Sequence, residues 1–538
     1  MDAGFSSDWM GTLKHGGVEL RILVHIRQLA DGGFEGGMDN LDVGRMGIPI
    51  AVDRFDGSTL RFTAETIDGS YAGKMSPDSR KISGTWSMDE DDAPLVLRRV
   101  TPSEIDGAWA GTLVYQKFRL RLVFYIATGP DQLIAAMKSR DQGGGIVPMS
   151  SAKRIGSAVV LEADTITGRF EGRLDDALNS IEGLWRQSGA SMPLILKRIA
   201  TEEEPGRPQE PSQPYPYREE EVEFTNERAD LELAGTLTIP EGDGPFAAVL
   251  LIAGSGALDR DESMNGHRPF LVLADRLTRS GLAVLRVDKR GVGESEGELR
   301  VATTTDLAMD AEAAFTYLET RAEVDSSRIG MVGHSEGGLI ACMLAARNRA
   351  VAFLVLMAAP GVPGWELGGQ QARHSAETHG VDGERAEQRS LEIMALLRDE
   401  KDEAVLQRKL HQKFPDIPEP HRSEAVKTML LPWHRHFAGL NPADHIERVQ
   451  CPVLALNGAM DVSVEPKSNL AAIRQALTSG GNRNFEAIEL PGLNHLFQTC
   501  TTGMETEYGQ IEETLSPLVL DKMAEWIAKC VPDTLPSG

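Results

Sequence analysis

Short stretches of alternating apolar and polar residues occupy the first 200 positions of the chain. The alternation, seen at Val18–Ile26, Thr59–Glu65 and Leu120–Ile126, places successive side chains on opposite faces of a β-strand. Glycines and Asp-Gly pairs separate these stretches, as is typical of turns between antiparallel strands. The pattern predicts about eight strands in every hundred residues of this region.

The same pattern occurs twice. Residues 8–13 match residues 108–113, and Pro94–Arg99 matches Pro193–Arg198, at an offset of 99 or 100 positions. The repeat predicts two all-β units, residues 1–100 and 101–200, each a small antiparallel barrel or sandwich. Neither unit has a cluster of His, Cys and carboxylates that resembles a reactive site. We expect the repeats to act in substrate presentation, surface attachment or subunit contacts, including those of a homo-oligomer.

A segment rich in proline and glutamate follows the repeats. It contains Pro205, Pro208, Pro211, Pro214 and Pro216. Prolines at this density disfavour helices and central strands, so a semi-rigid linker is predicted at residues 201–217. It marks the strongest domain boundary in the chain.

Beyond the linker, apolar runs alternate with helical patterns. The run Phe246–Ala253 is continuous, as expected for a strand that is buried on both faces of a parallel sheet. A helical pattern at Pro269–Arg279 and a strand pattern at Ala283–Val287 follow. The alternation predicts an α/β domain with a mainly parallel sheet over residues 218–538. Further strands are expected at Ile329–Val332, Ala352–Met357, Val453–Asn457 and Phe485–Leu490, and further helices at Asp306–Leu318, with Thr305 as N-cap, and after Ser516.

Residues 364–438 interrupt this rhythm with charged, helix-forming sequence, including a helix predicted at Glu384–Arg408. The segment lies between two core strands. An insertion there stands above the carboxyl ends of the strands, where such sheets bind ligands. We therefore expect a helical cap over the active site.

Composition and charge narrow the function classes. The chain has 538 residues, of which 41% are hydrophobic and 25% charged, an ordinary globular composition. The net charge is −25, which repels nucleic acid, so nucleic-acid binding is excluded. No apolar run approaches the ~20 residues of a membrane-spanning helix, so no membrane span is expected.

Cysteine spacing and the first residues bear on metals and location. Four irregularly spaced cysteines (Cys342, Cys451, Cys500 and Cys530) predict neither a disulfide framework nor a zinc site. We expect no metal and no cofactor. The start, Met1–Gly4, has neither the basic region nor the apolar core of a signal peptide, which is compatible with a cytoplasmic location or with an exported mature form.

The strongest chemical signal is Gly333–Gly337, with the sequence Gly-His-Ser-Glu-Gly. It directly follows an apolar strand and directly precedes a helix-forming run. A serine on such a tight turn projects its hydroxyl toward a base, and flanking glycines relieve the crowding. The following helix directs backbone N–H groups at the site where an oxyanion would form. Ser335 is therefore the candidate nucleophile.

A serine nucleophile needs a histidine base and an orienting acid, in the chain order serine, acid, histidine for this arrangement. Asp461 follows the strand Val453–Asn457, and His495 follows the last predicted strand, Phe485–Leu490. These two residues complete the predicted triad. Glu465 is the alternative acid.

The oxyanion hole needs two backbone donors. One is the N–H of Glu336, directly after the nucleophile. The other is expected in the glycine-containing loop after Phe246–Ala253, where Ser255 is preferred and Gly256 is the second choice. The glycine-rich segment Asp288–Ser295 lacks the glycine spacing of a nucleotide site, so we interpret it as a structural turn.

The segment from residue 218 to 538 resembles the α/β-hydrolase superfamily, in particular bacterial serine esterases related to the serine-aminopeptidase and dienelactone-hydrolase-like branches. Asp288–Ser295 resembles the family's Asp-x-Arg-Gly-x-Gly-x-Ser turn, and Cys451–Gly458 and Gly492–Gln498 resemble its acid and histidine segments. Many members carry His-Gly in the oxyanion loop, where this chain has Ala253-Gly254. The resemblance implies an α/β-hydrolase fold and serine hydrolase chemistry.

The sequence favours an esterase that acts on a small-molecule ester through an acyl-enzyme. One alternative is a peptidase that removes N-terminal residues, for which Glu377, Glu384 or Glu387 of the cap would bind the substrate's amine. The other alternative is a binding protein built on an inert hydrolase domain.

Overall fold

The computed structural model describes residues 6–532, except for positions 16–17, 30–32, 43–44, 65–66, 68, 89–90, 116–117, 141–145, 188, 200–205, 379, 416, 418 and 420. The chain divides into two compact units, Met1–Glu204 and Pro205–Gly538. The first residues of the predicted linker, up to Pro205, lie outside the described residues. No helix in the described part of the chain is both long and apolar enough to cross a membrane.

The first repeat is a closed antiparallel barrel in which β1 pairs with both β2 and β8. Trp9, Phe62, Tyr71 and Trp86 fill its interior, each no more than 3% exposed. Its strands are β1 (Ser6–His15), β2 (Val18–Gln28), β3 (Phe34–Asn40), β4 (Arg45–Phe55), β5 (Thr59–Ala64), β6 (Gly69–Met75), β7 (Lys81–Met88) and β8 (Asp91–Val100).

The second repeat closes in the same way, through pairing of β10 with both β9 and β11 and of β9 with β17. Trp109, Phe124, Phe170 and Trp185 fill it. The all-β units are therefore barrels rather than sandwiches. The strands are β9 (Gly107–Tyr115), β10 (Phe118–Thr128), β11 (Leu133–Ser139), β12 (Ile146–Pro148), β13 (Ser151–Ile155), β14 (Ala158–Ala163), β15 (Gly168–Leu174), β16 (Ser180–Gln187) and β17 (Ala190–Ile199).

The second unit contains an eight-stranded mixed sheet in the order β18-β19-β21-β20-β22-β23-β24-β25. The strands are β18 (Tyr217–Asn226), β19 (Leu231–Pro240), β20 (Phe246–Ile252), β21 (Ala283–Val287), β22 (Val324–His334), β23 (Leu354–Met357), β24 (Val453–Gly458) and β25 (Phe485–Leu490). Strands β20 to β25 pair in parallel, whereas β18 and β19 form an antiparallel edge that the sequence analysis did not predict.

Helices cover both faces of this sheet. Along β20, Ala247, Val249 and Leu251 face one apolar core and the alternate residues face the other. The helices are α1 (Pro269–Arg279), α2 (Thr304–Thr320), α3 (Glu336–Ala345), α4 (Gly364–Thr378), α5 (Gly383–Asp399), α6 (Glu403–Gln412), α7 (His421–Met429), α8 (Pro432–Gly439), α9 (Ala443–Ile446), α10 (Pro466–Ser479), α11 (Glu505–Tyr508) and α12 (Pro517–Cys530). Together with the two barrels, this confirms the predicted fold class.

Two local predictions need correction. Thr303, not Thr305, caps α2, because its hydroxyl and the Asp306 carboxylate form a reciprocal capping box. The helix predicted at Glu384–Arg408 is two helices, α5 and α6. The chain is extended at Glu400, and the Asp402 side chain accepts the Val405 N–H to begin α6.

Candidate active site

Ser335 is the single residue between the end of β22 and the start of α3. Its φ of 53° and ψ of −122° are unfavourable for a residue with a side chain, and such strain is typical of functional turns. The turn is compatible only with glycine at positions 333 and 337, two residues before and two residues after Ser335. A Cβ at Gly333 would lie 2.3 Å from the Gly337 oxygen, and a Cβ at Gly337 would lie 2.0 Å from the Ile252 oxygen.

The Ser335 hydroxyl forms no hydrogen bond within the described part of the chain, whereas its N–H donates to the Met357 carbonyl at 2.8 Å. The oxyanion loop lies against it, because a Cβ built on Gly254 would be 3.2 Å from the Ser335 Cβ. The serine side chain is therefore unengaged next to the loop predicted to supply an oxyanion donor.

His495 and Asp461 meet at the carboxyl ends of β25 and β24. Nδ1 of His495 lies 2.8 Å from Oδ2 of Asp461, whose side chain is 0% exposed. Asp461 also accepts the N–H groups of Ser463 and Val464 at 2.8 Å each, which fixes the carboxylate. Glu465, the alternative acid, instead accepts the N–H groups of two residues in the first turn of α10.

No hydrogen bond joins Ser335 to His495 in the residues that the structure describes. The ring centroid of His334, the residue directly before Ser335, is 4.8 Å from that of His495. Catalytic hydrogen bonds of this type are often long without substrate and shorten when it binds.

The predicted oxyanion loop is held by two charged side chains. The Gly254 N–H donates to Oε1 of Glu262 at 2.7 Å, and the Lys289 ammonium donates to the Gly254 carbonyl. The N–H groups of Ser255, Gly256 and Glu336, the three predicted donors, have no hydrogen-bond partner among the described residues.

Lys289, Glu336 and the half-buried Trp433 form a polar layer next to Ser335 that sequence reasoning did not assign. The Glu336 carboxylate accepts from Thr304 Oγ1 at 2.7 Å and from Trp433 Nε1 at 2.6 Å, and lies 4.0 Å from Lys289. Burial lowers the pKa of Lys289. A lysine beside a glycine-rich turn was the only sequence signal for this layer.

The segment Asp288–Ser295 is packed as a turn. Asp288 pairs with Arg260 at 2.7 Å, and a Cβ at Gly293 would lie 2.3 Å from the same carboxylate. Ser295 donates to the Asp288 carbonyl and accepts the Ala234 N–H, which ties the turn to β19.

The cap helices bring apolar and aromatic side chains near the turn. Trp433 stacks on Phe437 of the same helix at 4.8 Å, and Phe437 packs with Val362, Leu367 and Val464. The carboxylates considered as amine anchors lie at exposed or half-buried positions of α4 and α5. Glu377 and Glu387 both pair with Arg373 at positions 30% or more exposed, and Glu384 is also exposed.

Throughout the described chain, no three His, Cys, Asp or Glu residues are arranged to hold a metal ion.

Comparison with known proteins gives matches confined to part of the chain. Residues 267–499 match the family model described as serine aminopeptidase, S33. The chain is 27% identical over 301 residues to esterase EstD of Thermotoga maritima, a match that covers 55% of this chain and 66%, just under two thirds, of the esterase. It is 25% identical over 277 residues to an uncharacterized 31.7 kDa protein of the traX-finO intergenic region of Escherichia coli, covering 49% of this chain and 90% of that protein. The α/β hydrolase GrgF from Penicillium sp. sh18 is 18% identical, with a TM-score of 0.39, over 58% of this chain and 98% of its own.

Proposed function

Because residues 205–538 form an esterase-like domain of the α/β-hydrolase superfamily, we propose that this protein hydrolyses carboxylic esters through an acyl-enzyme on Ser335. The observation that carries the proposal is the strained turn at Ser335 together with the buried hydrogen bond of His495 to Asp461. An unengaged hydroxyl on such a turn is suited to nucleophilic attack. The match to esterase EstD supports an ester as substrate.

In the first step, Oγ of Ser335 attacks the ester carbonyl carbon and its proton passes to Nε2 of His495. Asp461 holds Nδ1–H of His495, which leaves Nε2 free to accept that proton, and it stabilises the imidazolium that forms. His495 then protonates the leaving alcohol, and the acyl group stays on Ser335. Water, deprotonated by His495, attacks this second ester and releases the acid.

The N–H groups of Glu336 and Ser255 would donate to the oxyanion. The Glu336 N–H lies at the first turn of α3, where the helix dipole also favours negative charge. Ser255 is supported by peptide geometry. Its N–H shares one trans peptide with the Gly254 carbonyl, so the two groups point in opposite directions. Lys289 holds that carbonyl, so the Ser255 N–H is directed away from Lys289. Gly256 is the second choice.

A fluorophosphonate probe tests the nucleophile. The proposal expects one labelled serine in the native protein and none in Ser335→Ala, with kcat reduced by a factor on the order of 10⁶. Unchanged labelling of Ser335→Ala would show that another residue reacts, and absence of labelling in the native protein would favour an inert binding domain.

A substrate panel tests the ester against the peptide alternative. The family description favours an aminopeptidase, but that activity needs an anchor for the substrate's amine. The candidate anchors Glu377 and Glu387 share Arg373, which offsets their charge. We therefore expect p-nitrophenyl esters to be cleaved with higher kcat/KM than aminoacyl anilides. The reverse order would identify a peptidase.

A further inference from the structure

The ring of His334 lies between two hydrogen-bond acceptors. Its Nδ1 is 3.0 Å from Oε1 of Glu262, and its Nε2 is 3.0 Å from the main-chain oxygen of His495. A carbonyl oxygen never donates, and the Glu262 oxygen already accepts the Gly254 N–H. A neutral imidazole has one N–H and could satisfy only one of these contacts, whereas an imidazolium satisfies both.

The buried histidine His267 shows the opposite arrangement. Its Nδ1 lies 2.9 Å from the Thr514 hydroxyl, and its Nε2 lies 2.9 Å from both the Tyr508 carbonyl and the Gln498 amide nitrogen, which is a donor. A hydroxyl can donate to Nδ1, so one ring N–H is enough. Burial lowers the pKa of His267 to about 4, which agrees with a neutral ring. The partners of the two histidines therefore require different numbers of ring N–H groups.

We propose that Glu262 and His334 form a buried carboxylate–imidazolium pair that acts as a positioning device for the active site, an inference that rests on the proposed function. Glu262 holds the Gly254 N–H of the oxyanion loop, and His334 holds the main chain of His495. His334 itself precedes Ser335. One ion pair thus joins the oxyanion loop, the nucleophile turn and the histidine loop.

Because the pair is buried, each of its two members depends on the other to compensate its charge. The side chains of His334 and Glu262 are 4% and 1% exposed. Buried ion pairs contribute little net stability but specify geometry, and loss of one partner leaves an uncompensated charge. Catalysis is sensitive to such geometry, since a 1 Å displacement of a reacting group can cost about 100-fold in rate.

Charged groups around the ring favour its protonated form. Burial lowers the pKa of His334. The charge of Glu262, the hydrogen bond from His334 to Glu262 and the more distant Asp461 carboxylate raise it by more than burial lowers it, so the net shift is upward. Lys289 and Glu336, two further ionisable groups next to the oxyanion loop and the nucleophile turn, lie 4.0 Å from each other. This upward direction of the His334 pKa agrees with the imidazolium that its two acceptor contacts require.

The experiment combines ¹⁵N-imidazole NMR with kinetics normalised to titrated active sites. At pH 7 to 8 we expect two N–H protons on His334, assigned by their loss in His334→Phe, and one on His267. In Glu262→Gln, the amide oxygen can take the place of Oε1 and accept from both the Gly254 N–H and Nδ1–H of His334, but the negative charge is lost. We then expect a neutral His334 with one N–H, on Nδ1.

The kinetic expectation separates positioning from simple destabilisation. Glu262→Gln should keep kcat within about tenfold of the native enzyme, whereas Glu262→Ala and His334→Phe should each lose about 100-fold in kcat per titrated site. KM should change little, because neither residue is placed to touch the substrate. A purely structural role would lower the fraction of titratable sites and leave kcat per site unchanged.

The matched control is Asp39→Asn, which removes a carboxylate from His25 in the first barrel. It should alter the resonance of His25 and leave kcat unchanged. A single N–H on His334 of the native protein, or full kcat per site in His334→Phe, would overturn the inference. The NMR result needs no turnover, so it stands apart from any failure of the proposed esterase activity.

Discussion

Two side chains directly after residue 205 hold the start of the second unit onto its own loops, and their removal gives a quantitative test. The Arg207 guanidinium donates to the main-chain oxygens of Gly266 at 2.7 Å, Ile511 at 2.9 Å and Gly509 at 3.0 Å. The Gln209 amide donates to the Leu515 oxygen and accepts the Thr514 and Leu515 N–H groups. We call these two residues the 207–209 clasp.

The clasp contacts loops that support His495, the predicted catalytic base. The carbonyl of Glu513, next to the Gln209 partner Thr514, accepts the Gln498 amide at 3.1 Å. Gln498 in turn exchanges two hydrogen bonds at 2.9 Å with Asn494, the residue before His495. Loosening the clasp should therefore reach the histidine loop as well as the stability of the unit.

The expected magnitude follows from counting bonds. Hydrogen bonds of a charged donor contribute about 1.5–3 kcal/mol each and neutral ones about 1 kcal/mol. At the low end of these ranges, the three Arg207 bonds and the three Gln209 bonds would together contribute about 7–8 kcal/mol. Arg207 is half-buried and accessible to water, which roughly halves such contributions, so we expect about 3–5 kcal/mol for the double variant Arg207→Ala/Gln209→Ala. At about 2 °C per kcal/mol for a domain of this size, the melting temperature should fall by roughly 6–10 °C.

The assay compares three proteins by thermal melting and by p-nitrophenyl ester hydrolysis: residues 205–538, the double variant in that background, and residues 218–538. The fragment 205–538 should fold alone and stay within about tenfold of the full chain on a small ester, because the barrels carry no candidate catalytic group. Both other proteins should melt at lower temperature and lose several-fold in kcat. Equal melting temperatures for all three would refute the reasoning, since the clasp would then contribute nothing to the folded unit.

Three further predictions follow from the site and from the first barrel. Asp461→Asn should be folded and lose about 10⁴-fold in kcat, as measured with the smallest active ester. Glu465→Gln, which changes only the α10 cap, should keep most activity. The opposite outcome would assign Glu465 as the acid. Lys289→Met removes the donor to the Gly254 carbonyl, so kcat should fall 10-fold or more, but by less than the roughly 10²–10³-fold that follows loss of an oxyanion donor itself, with KM unchanged in steady-state assays. An unchanged kcat would show that Lys289 does not position the oxyanion loop. Burial lowers the pKa of His25, but its bonds to Asp39 and Asp8 raise it from 6.5 to about 9. Its stabilisation is therefore complete below pH 6.5 and lost as pH rises through 9, so the urea midpoint of residues 1–204 should fall between pH 7 and 10 in the native sequence and much less in Asp39→Asn.

Features whose signals are local could be predicted from the residue pattern. Alternation at period two and an offset of about one hundred residues predicted two β units, because side-chain direction in a strand depends only on neighbouring residues. The strand, the Gly-His-Ser-Glu-Gly turn and the helix predicted the shape around Ser335 for the same reason. Asp461 and His495 were found through their places after predicted strands. Their catalytic roles stay predictions, and the structure adds their 2.8 Å hydrogen bond.

Contacts between residues that are distant in the chain could not be predicted in this way, because they form only when the chain folds. Closure of the first barrel depends on pairing of Asp8 with Val100, which no local pattern specifies, so barrel and sandwich could not be separated beforehand. The break between α5 and α6 depends on the competition of the Asp402 cap with continued helix, which periodicity alone does not reveal. The contacts of His334 with Glu262 and His495 span 72 and 161 positions. The charge of a buried histidine is set by such partners, so it is a property of the folded chain and not of the motif that contains it.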